Sequence, residues 1–388
     1  MVLWNKCFSS SSISRDLELG GILCAFWDFH GIFTPFTFHR SLYHGNKILI
    51  ENLCHISSPN LNIITSAAAV VGSPPSFTVD ALAAFSLKSF ALNDLKQASK
   101  NFNREYFLGE GEFGCVFKGW IDKNTFVPSR PGTGIGVAIK KLKPNSFQGH
   151  QEWLTEVTYL AQLRHENLVK LIGYCLEGDE RLIVYEHMQR GSLDNHLFRS
   201  GAQSIPWATR VNIAIDVARG VTFLHSLEIQ VIYRDLKSGN VLLDSDFKAK
   251  LSDFGLARNG PAGNNTHVST RVVGTYGYAA PEYIATGRLN AKSDVYSFGV
   301  LLIDLFSGRR AEEVLRSYRN KSLIDKWKML RFMSTGQDGK YAKRTAQVVA
   351  ELIVECLQVN PKKRPDMNEV LCTLEQLQTT KARTHSMS

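Results

Sequence analysis

The seven cysteines, Cys7, Cys24, Cys54, Cys115, Cys175, Cys356 and Cys372, form no C-x-x-C pair and no even framework. That scatter excludes a disulfide scaffold or a zinc ribbon and reads as reduced thiols of a cytosolic chain. Long apolar runs are missing too. The stretch from Leu19 to Phe38 is broken by Asp28, His30 and Pro35, and no run approaches the ~18 residues that a spanning helix needs. Residues 1–90 carry no charge excess, since Lys6, Arg15, Arg40, Lys47 and Lys88 balance Asp16, Glu18, Asp28, Glu51 and Asp80. The formal net charge of +9 therefore lies wholly in the remainder. No basic and aromatic module accompanies that charge, which argues against nucleic acid as a partner, and Lys362, Lys363 and Arg364 read as a solvated helix entry. No internal repeat is evident. What remains is ordinary globular stock, 388 residues with 44% hydrophobic and 21% charged, long enough for two or so domains.

Residues 1–86 show no sustained period, are rich in Ser, Phe and His, and run through Ala67–Ala69 into a break at Ser73, Pro74 and Pro75. They are expected to form a poorly ordered leader. Cys7 and Cys24 are acylation candidates if this leader is a membrane address. Val2 excludes myristoylation in the Met-Gly pattern at this start, and Asp16, Glu18 and Asp28 disfavour a transit peptide. In 87–103, Leu92, Leu95 and Ala98 recur at helical spacing and predict a short lead-in helix.

The chemistry concentrates in VIYRDLKSGNVLLD, Val231 to Asp244, and in LSDFGLAR at Leu251 to Arg258. An acceptor hydroxyl needs a carboxylate to orient it and take its proton, and Asp235 is placed for that. Phosphoryl transfer spreads negative charge over oxygens, so the site needs cations; Asn240 and Asp253 are oxygen donors suited to Mg²⁺. Lys237, beside the base, adds a fixed positive charge. Upstream, YFLGEGEFGCVFKG reads as strand, turn and strand from Tyr106 to Gly119, with Gly109, Gly111 and Gly114 in G-x-G-x-x-G and Val116 two positions on. Glycines let such a hairpin close over phosphates. The strand Gly134 to Leu142 carries Lys140 in Val-Ala-Ile-Lys. The helix predicted over Gln148 to Leu163 holds Glu156, which can face back to Lys140. Two further strands end in a hinge at Tyr185 to Met188, where Glu186 and Met188 offer backbone groups to adenine. A long buried helix is predicted from Trp207 to Leu227, with others at about Lys343 to Leu357 and Met367 to Leu377.

The spacing Asp-x-x-x-x-Asn followed by Asp-Phe-Gly resembles the protein-kinase catalytic and metal-binding loops. The phrases GHQEWLTEV, NLVKLIGYCLEG, GSLDNHLF, HVSTRVVGTYGYAAPEY and KSDVYSFGV resemble, in order, the plant receptor-like cytoplasmic kinases. The resemblance covers about Leu87 to Leu377. It implies an α+β, two-lobed protein-kinase fold over 104–378, a small antiparallel sheet lobe and a larger helical lobe, with a tail at 379–388. It also implies a serine/threonine protein kinase that uses ATP and Mg²⁺ on protein substrates, with Lys237 and Thr275 fitting Ser/Thr over Tyr. Leu108, Ala138 and Leu242 are carried over as nucleotide contacts. Implied partners are upstream receptor kinases in immune or growth signalling, and the implied location is cytoplasmic, with peripheral attachment at the inner face of the plasma membrane.

Tyr233 stands where that pattern usually has His, which resembles the Tyr version found in receptor-like kinases of plants. Arg234 is kept, and such an Arg is usually paired with a phosphate on the activation segment, for which Ser269 and Thr270 are central hydroxyls and Thr275 lies near the substrate end. Glu282 of Ala280-Pro281-Glu282 is expected to pair with Arg364, and Asp294 to cap its helix and brace the catalytic loop. Glu112 replaces a frequent Gly at an x position of the glycine motif. The region between Arg310 and Val348 looks compressed and basic, with Arg316, Arg319, Lys321, Lys326, Lys328 and Arg331, which bears on substrate docking. The alternative is a pseudokinase scaffold, which would typically lose Lys140, Asp235 or Asp253; a small-molecule kinase is disfavoured by the complete activation segment.

Overall fold

Alternation of side chains across a pleated strand explains the upper lobe. In the strand Ile135–Leu142, Val137 and Ile139 are fully buried on one face while Ala138 and Lys140 point to the other. The structure, a computed structural model, describes residues 85 and 87–385 except 112–113, 144–146, 200, 202–203, 317–328 and 334–338. The leader with Cys7 and Cys24, Glu112, and Arg319, Lys321, Lys326 and Lys328 of the basic region thus lie outside the described residues.

The strands are β1 (Lys88–Ser89), β2 (Phe107–Glu110), β3 (Gly114–Ile121), β4 (Ile135–Leu142), β5 (Leu171–Glu177) and β6 (Glu180–Glu186), in sheet order β1-β5-β6-β4-β3-β2. All neighbours are antiparallel except β1, which runs parallel to β5. The lead-in segment is therefore a strand followed by helix α1 (Leu92–Ala98), not a helix alone. A Cβ on Gly173 would lie 2.1 Å from the Lys88 carbonyl oxygen, so only glycine lets β1 pair there. Phe90, Leu95 and Ala98 seal one sheet face over Ile121, Val137, Ile139, Leu182 and Val184. Helix α2 (Phe147–Gln162) covers the other, with Trp153, Leu154 and Val157 in the main core and the Trp153 indole N–H donating to the Leu182 carbonyl at 3.1 Å.

In the lower lobe, α4 (Trp207–Ser226), following the short α3 (Leu193–Phe198), and the nearly all-buried α6 (Ala291–Ser307) form the axis. Around them lie α5 (Pro281–Thr286), α7 (Ala311–Arg316), α8 (Gly339–Cys356) and α9 (Met367–His385). Asn290 caps α6 in a capping box with Ser293, which corrects the expectation that Asp294 is the cap. Short ladders carry the loops: β7 (Gly191–Ser192), β9 (Val241–Leu243) and β10 (Ala249–Leu251) in one sheet, β8 (Val231–Ile232) with β11 (Arg258–Asn259), and β12 (Val268–Ser269) with β13 (Arg288–Leu289). The lobes are stitched near the cleft. Val169 N–H donates to the Leu251 carbonyl at 2.9 Å, and the Asn167 amide donates to the Ala249 carbonyl at 3.0 Å.

Candidate active site

On the upper side of the cleft, the Lys140 ammonium donates to Glu156 Oε2 at 2.8 Å and to Asp253 Oδ1 at 2.9 Å. Burial works against the cation, but the two carboxylates outweigh it and hold Lys140 above its ordinary range. Burial raises Glu156 against the opposing pull of Lys140. Burial would also raise Asp253, yet Lys140 and then Lys237 overcome it and hold Asp253 below the usual carboxylate range. Asp253 therefore stays ionised at neutral pH, and its side chain is 41% exposed towards the cleft.

The glycine hairpin is β2–β3. Gly109 pairs with Val116, and Gly111 N–H donates to the Gly114 carbonyl at 2.8 Å. A Cβ on Gly114 would come 2.3 Å from the Lys141 carbonyl oxygen, so the motif's third glycine is demanded by β4 itself. Gly109 would meet nothing within 4 Å, which leaves room above the cleft. Leu108 is exposed on β2, Val116 stands opposite Lys140, and Ala138 stands opposite Tyr185. At the hinge, Glu186 N–H donates to the Lys170 carbonyl at 3.0 Å and the Met188 carbonyl accepts from Gly191 N–H at 3.1 Å. The Glu186 carboxylate takes Lys250 at 2.7 Å. Leu242 lies in β9 between Ser192 and Lys250.

Below, Asp235 is 7% exposed and both its oxygens are held. Oδ1 accepts from the Thr275 hydroxyl at 2.7 Å and the Thr275 amide at 3.0 Å; Oδ2 accepts from the Asn240 amide at 3.0 Å and faces the Lys237 ammonium at 2.8 Å. Lys237 also donates to the Thr275 hydroxyl at 2.8 Å. The loop's shape is costly. Arg234 (φ 75°) and Asp253 (φ 60°) both sit in the left-handed region, at roughly 1–3 kcal/mol each. Asp294 over-determines it by accepting from Tyr233 N–H at 2.9 Å and Arg234 N–H at 2.8 Å while holding His225 at 2.8 Å. Tyr233, in place of His, is fully buried; its ring packs edge-on against Phe254 at 5.1 Å, and its hydroxyl donates to the Ser252 carbonyl. One side chain thus ties the catalytic loop to the Asp253-Phe254-Gly255 loop.

In the activation segment the two candidate hydroxyls part company. Ser269 is exposed on β12. The Thr270 hydroxyl accepts from Arg258 Nη1 at 3.0 Å and Arg234 Nη2 at 3.2 Å. The Tyr283 hydroxyl accepts from Arg234 Nε at 2.9 Å and fixes the guanidinium. Arg258 and Tyr283 were not singled out from the sequence, because only the folded segment brings them to Arg234. Glu282 pairs with Arg364 through two bonds of 2.7 Å, the contact that sequence reasoning expected.

Residues 102–374 match the family model for protein tyrosine and serine/threonine kinase. The chain belongs to the protein kinase family. The kinase is 59% identical over 301 residues to probable serine/threonine-protein kinase PBL2 of Arabidopsis thaliana, covering 76% of this chain and 71% of that one. It is 55% identical to serine/threonine-protein kinase BIK1 of the same plant over 75% of this chain and 76% of that one. With receptor-like cytoplasmic kinase 176 of Oryza sativa subsp. japonica it shares 50% over 87% of this chain and 90% of the relative. The kinase is a serine/threonine protein kinase of the plant receptor-like cytoplasmic group. Kinases of this family transfer the γ-phosphoryl group of ATP, with a divalent metal, to protein substrates. Among the described residues no helix is long and apolar enough to cross a membrane.

Proposed function

We propose that Asp235 is the catalytic base of this kinase. The oxygen of a substrate Ser or Thr attacks the γ-phosphorus, the bond to the ADP leaving oxygen breaks, and the hydroxyl proton passes to Asp235. The observation that carries the assignment is the clamp on that carboxylate by Asn240, Lys237 and Thr275, which presents an oriented base to an incoming hydroxyl. Lys237 faces the transferring group, Lys140 anchors the α- and β-phosphates, and Glu156 holds Lys140 in place. Glu186 N–H and the Met188 carbonyl are engaged within the protein, and the Glu186 carbonyl and the Met188 N–H are the hinge groups assigned to adenine. Leu108, Val116, Ala138 and Leu242 line its apolar faces, and Gly109, Gly111 and Gly114 form the cover over the phosphates.

Asp253, ionised and open to the cleft, and Asn240 suit a hard cation that keeps its other places for substrate oxygens. They are the residues that would hold Mg²⁺, which supplies positive charge to the phosphate oxygens when bound. Thr270 is assigned as the activating phosphorylation site in preference to Ser269, because its hydroxyl already lies between two guanidinium groups. The rice relative's name, receptor-like cytoplasmic kinase, supports a cytoplasmic place in receptor-linked signalling; peripheral attachment at the inner face of the plasma membrane belongs to the same proposal and rests on the resemblance alone. Steady-state kinetics separate the roles: Lys140→Met should raise KM for ATP, whereas Asp235→Asn should keep ATP binding and lose kcat by ~10²-fold or more. An Asp235→Asn enzyme of normal kcat would overturn the base assignment.

A further inference from the structure

The two arginines around Thr270 come from one small ladder. Arg258 lies on β11, paired with Ile232 of β8, and Arg234 follows β8 by two residues. The next residue of β11, Asn259, reaches the opposite way. Its side-chain oxygen accepts from the Tyr159 hydroxyl at 2.8 Å. Tyr159 is 6% exposed, and Arg258 lies close enough to oppose the upward push of burial on its phenol. Tyr159 stands three residues after Glu156 in α2, on the same helical face. A continuous physical path therefore runs from the Thr270 hydroxyl through Arg258 and Asn259 to Tyr159, and from there along one helical turn to the Glu156–Lys140 pair.

We infer that Tyr159 is a positioning residue that transmits the state of Thr270 to the helix carrying Glu156. The inference rests on the reading of Thr270 as the phosphorylated site. A phosphate there brings a charge of about −1.5 to −2 and three acceptor oxygens to two guanidinium groups. Fixing Arg258 fixes the β8–β11 ladder, and the ladder holds Asn259 against Tyr159. The helix can then no longer swing Glu156 away from Lys140. Without the phosphate, Arg258 grips the neutral Thr270 hydroxyl and, among the described residues, no carboxylate, and the helix is held correspondingly less firmly.

The experiment uses the full chain made silent by Asp235→Asn, with Thr270 phosphorylated in trans by wild type, and follows amide exchange across residues 147–162. Phosphate on Thr270 should slow exchange there by roughly tenfold, and adding Tyr159→Phe should reduce the slowing to less than about twofold. Asn259→Ala cuts the same hydrogen bond from its partly exposed end and should act alike, which guards against a packing defect at Tyr159. In an otherwise active chain, Tyr159→Phe should lower kcat/KM roughly tenfold when Thr270 is phosphorylated and less than about twofold in the Thr270→Ala background. Slowing that persists in Tyr159→Phe and Asn259→Ala, or an equal loss of activity in both backgrounds, overturns this inference alone. If wild type places no phosphate on Thr270, or the phosphate leaves exchange unchanged in the parent chain, the switch reading fails and takes the inference with it.

Discussion

Arg364→Ala should be far more damaging than Glu282→Ala, although the two residues share one ion pair. The Arg364 side chain is fully buried and Glu282 is 19% exposed. Besides its fork to Glu282, Arg364 donates to the carbonyls of Gln358 at 2.7 Å and Lys292 at 2.8 Å, and lies 5.0 Å from the Tyr296 ring. Removing it strands a mostly buried carboxylate and those carbonyls at once, a loss of ~3–5 kcal/mol. Removing Glu282 leaves Arg364 its carbonyl partners, so the loss should stay at ~1–3 kcal/mol. Arg364→Lys should fall near the larger value, since an ammonium cannot reproduce the fork. Urea unfolding at neutral pH gives each difference directly, and at roughly 2–4 °C per kcal/mol the Arg364→Ala melting point should drop by roughly 6–20 °C. Glu282→Ala costing as much as Arg364→Ala, or Arg364→Ala costing under ~1 kcal/mol, would refute the view that this contact anchors the activation segment.

Leu95→Ala should cost ~2–5 kcal/mol by calorimetry, because a fully buried side chain of α1 seals the upper sheet; a cost under ~1 kcal/mol would mean the lead-in helix is dispensable. Asp294→Asn removes one of the two carboxylate oxygens that hold the Tyr233 and Arg234 amides, so kcat should fall by roughly 10²-fold with little change in KM for ATP, and an unchanged kcat would show that the strained loop needs no such brace. Asp304, in α6, is pushed by burial from 3.8 to about 6, against the pull of the Tyr278 hydroxyl bonded to it. A raised carboxyl binds its proton more tightly folded than unfolded, so stability should fall as pH rises from about 4 to about 6 and then level off. Asp304→Asn should flatten that slope in urea titrations across the window, and an equal slope in both proteins would place the titration elsewhere.

The site was legible wherever chemistry is written in a short run. Asp235, Lys237 and Asn240 fall within six residues, and the structure brings them together because a single turn does so. Lys140, Glu156 and Asp253 are far apart in sequence, and only their order along the chain tied them to one cleft. Thr270 could not be separated from Ser269 by sequence, since Ser269 pairs in β12 with Arg288 while Thr270, just past the strand, is held by its N–H on the Gly287 carbonyl, and only the folded segment decides which hydroxyl meets the arginines. Arg258 and Asn259 carried no local signal at all; their importance comes from pairing with β8. Asn290 and Asp294 are both good capping residues, and the reciprocal bond from Ser293 selects Asn290. β1 is two residues long and is stable only on a partner strand where glycine has cleared the space.

The most direct test is transfer of labelled γ-phosphate from Mg-ATP by the purified full chain to itself and to a protein acceptor, beside Asp235→Asn and Lys140→Met, with the labelled residues mapped. The account predicts label on Ser and Thr with wild type, Thr270 included, ~10²-fold less or lower still with Asp235→Asn, and a sharp loss with Lys140→Met at ATP concentrations below its raised KM. Label that persists undiminished in Asp235→Asn, or a wild-type chain that binds Mg-ATP and transfers nothing even with Thr270 phosphorylated, would contradict it.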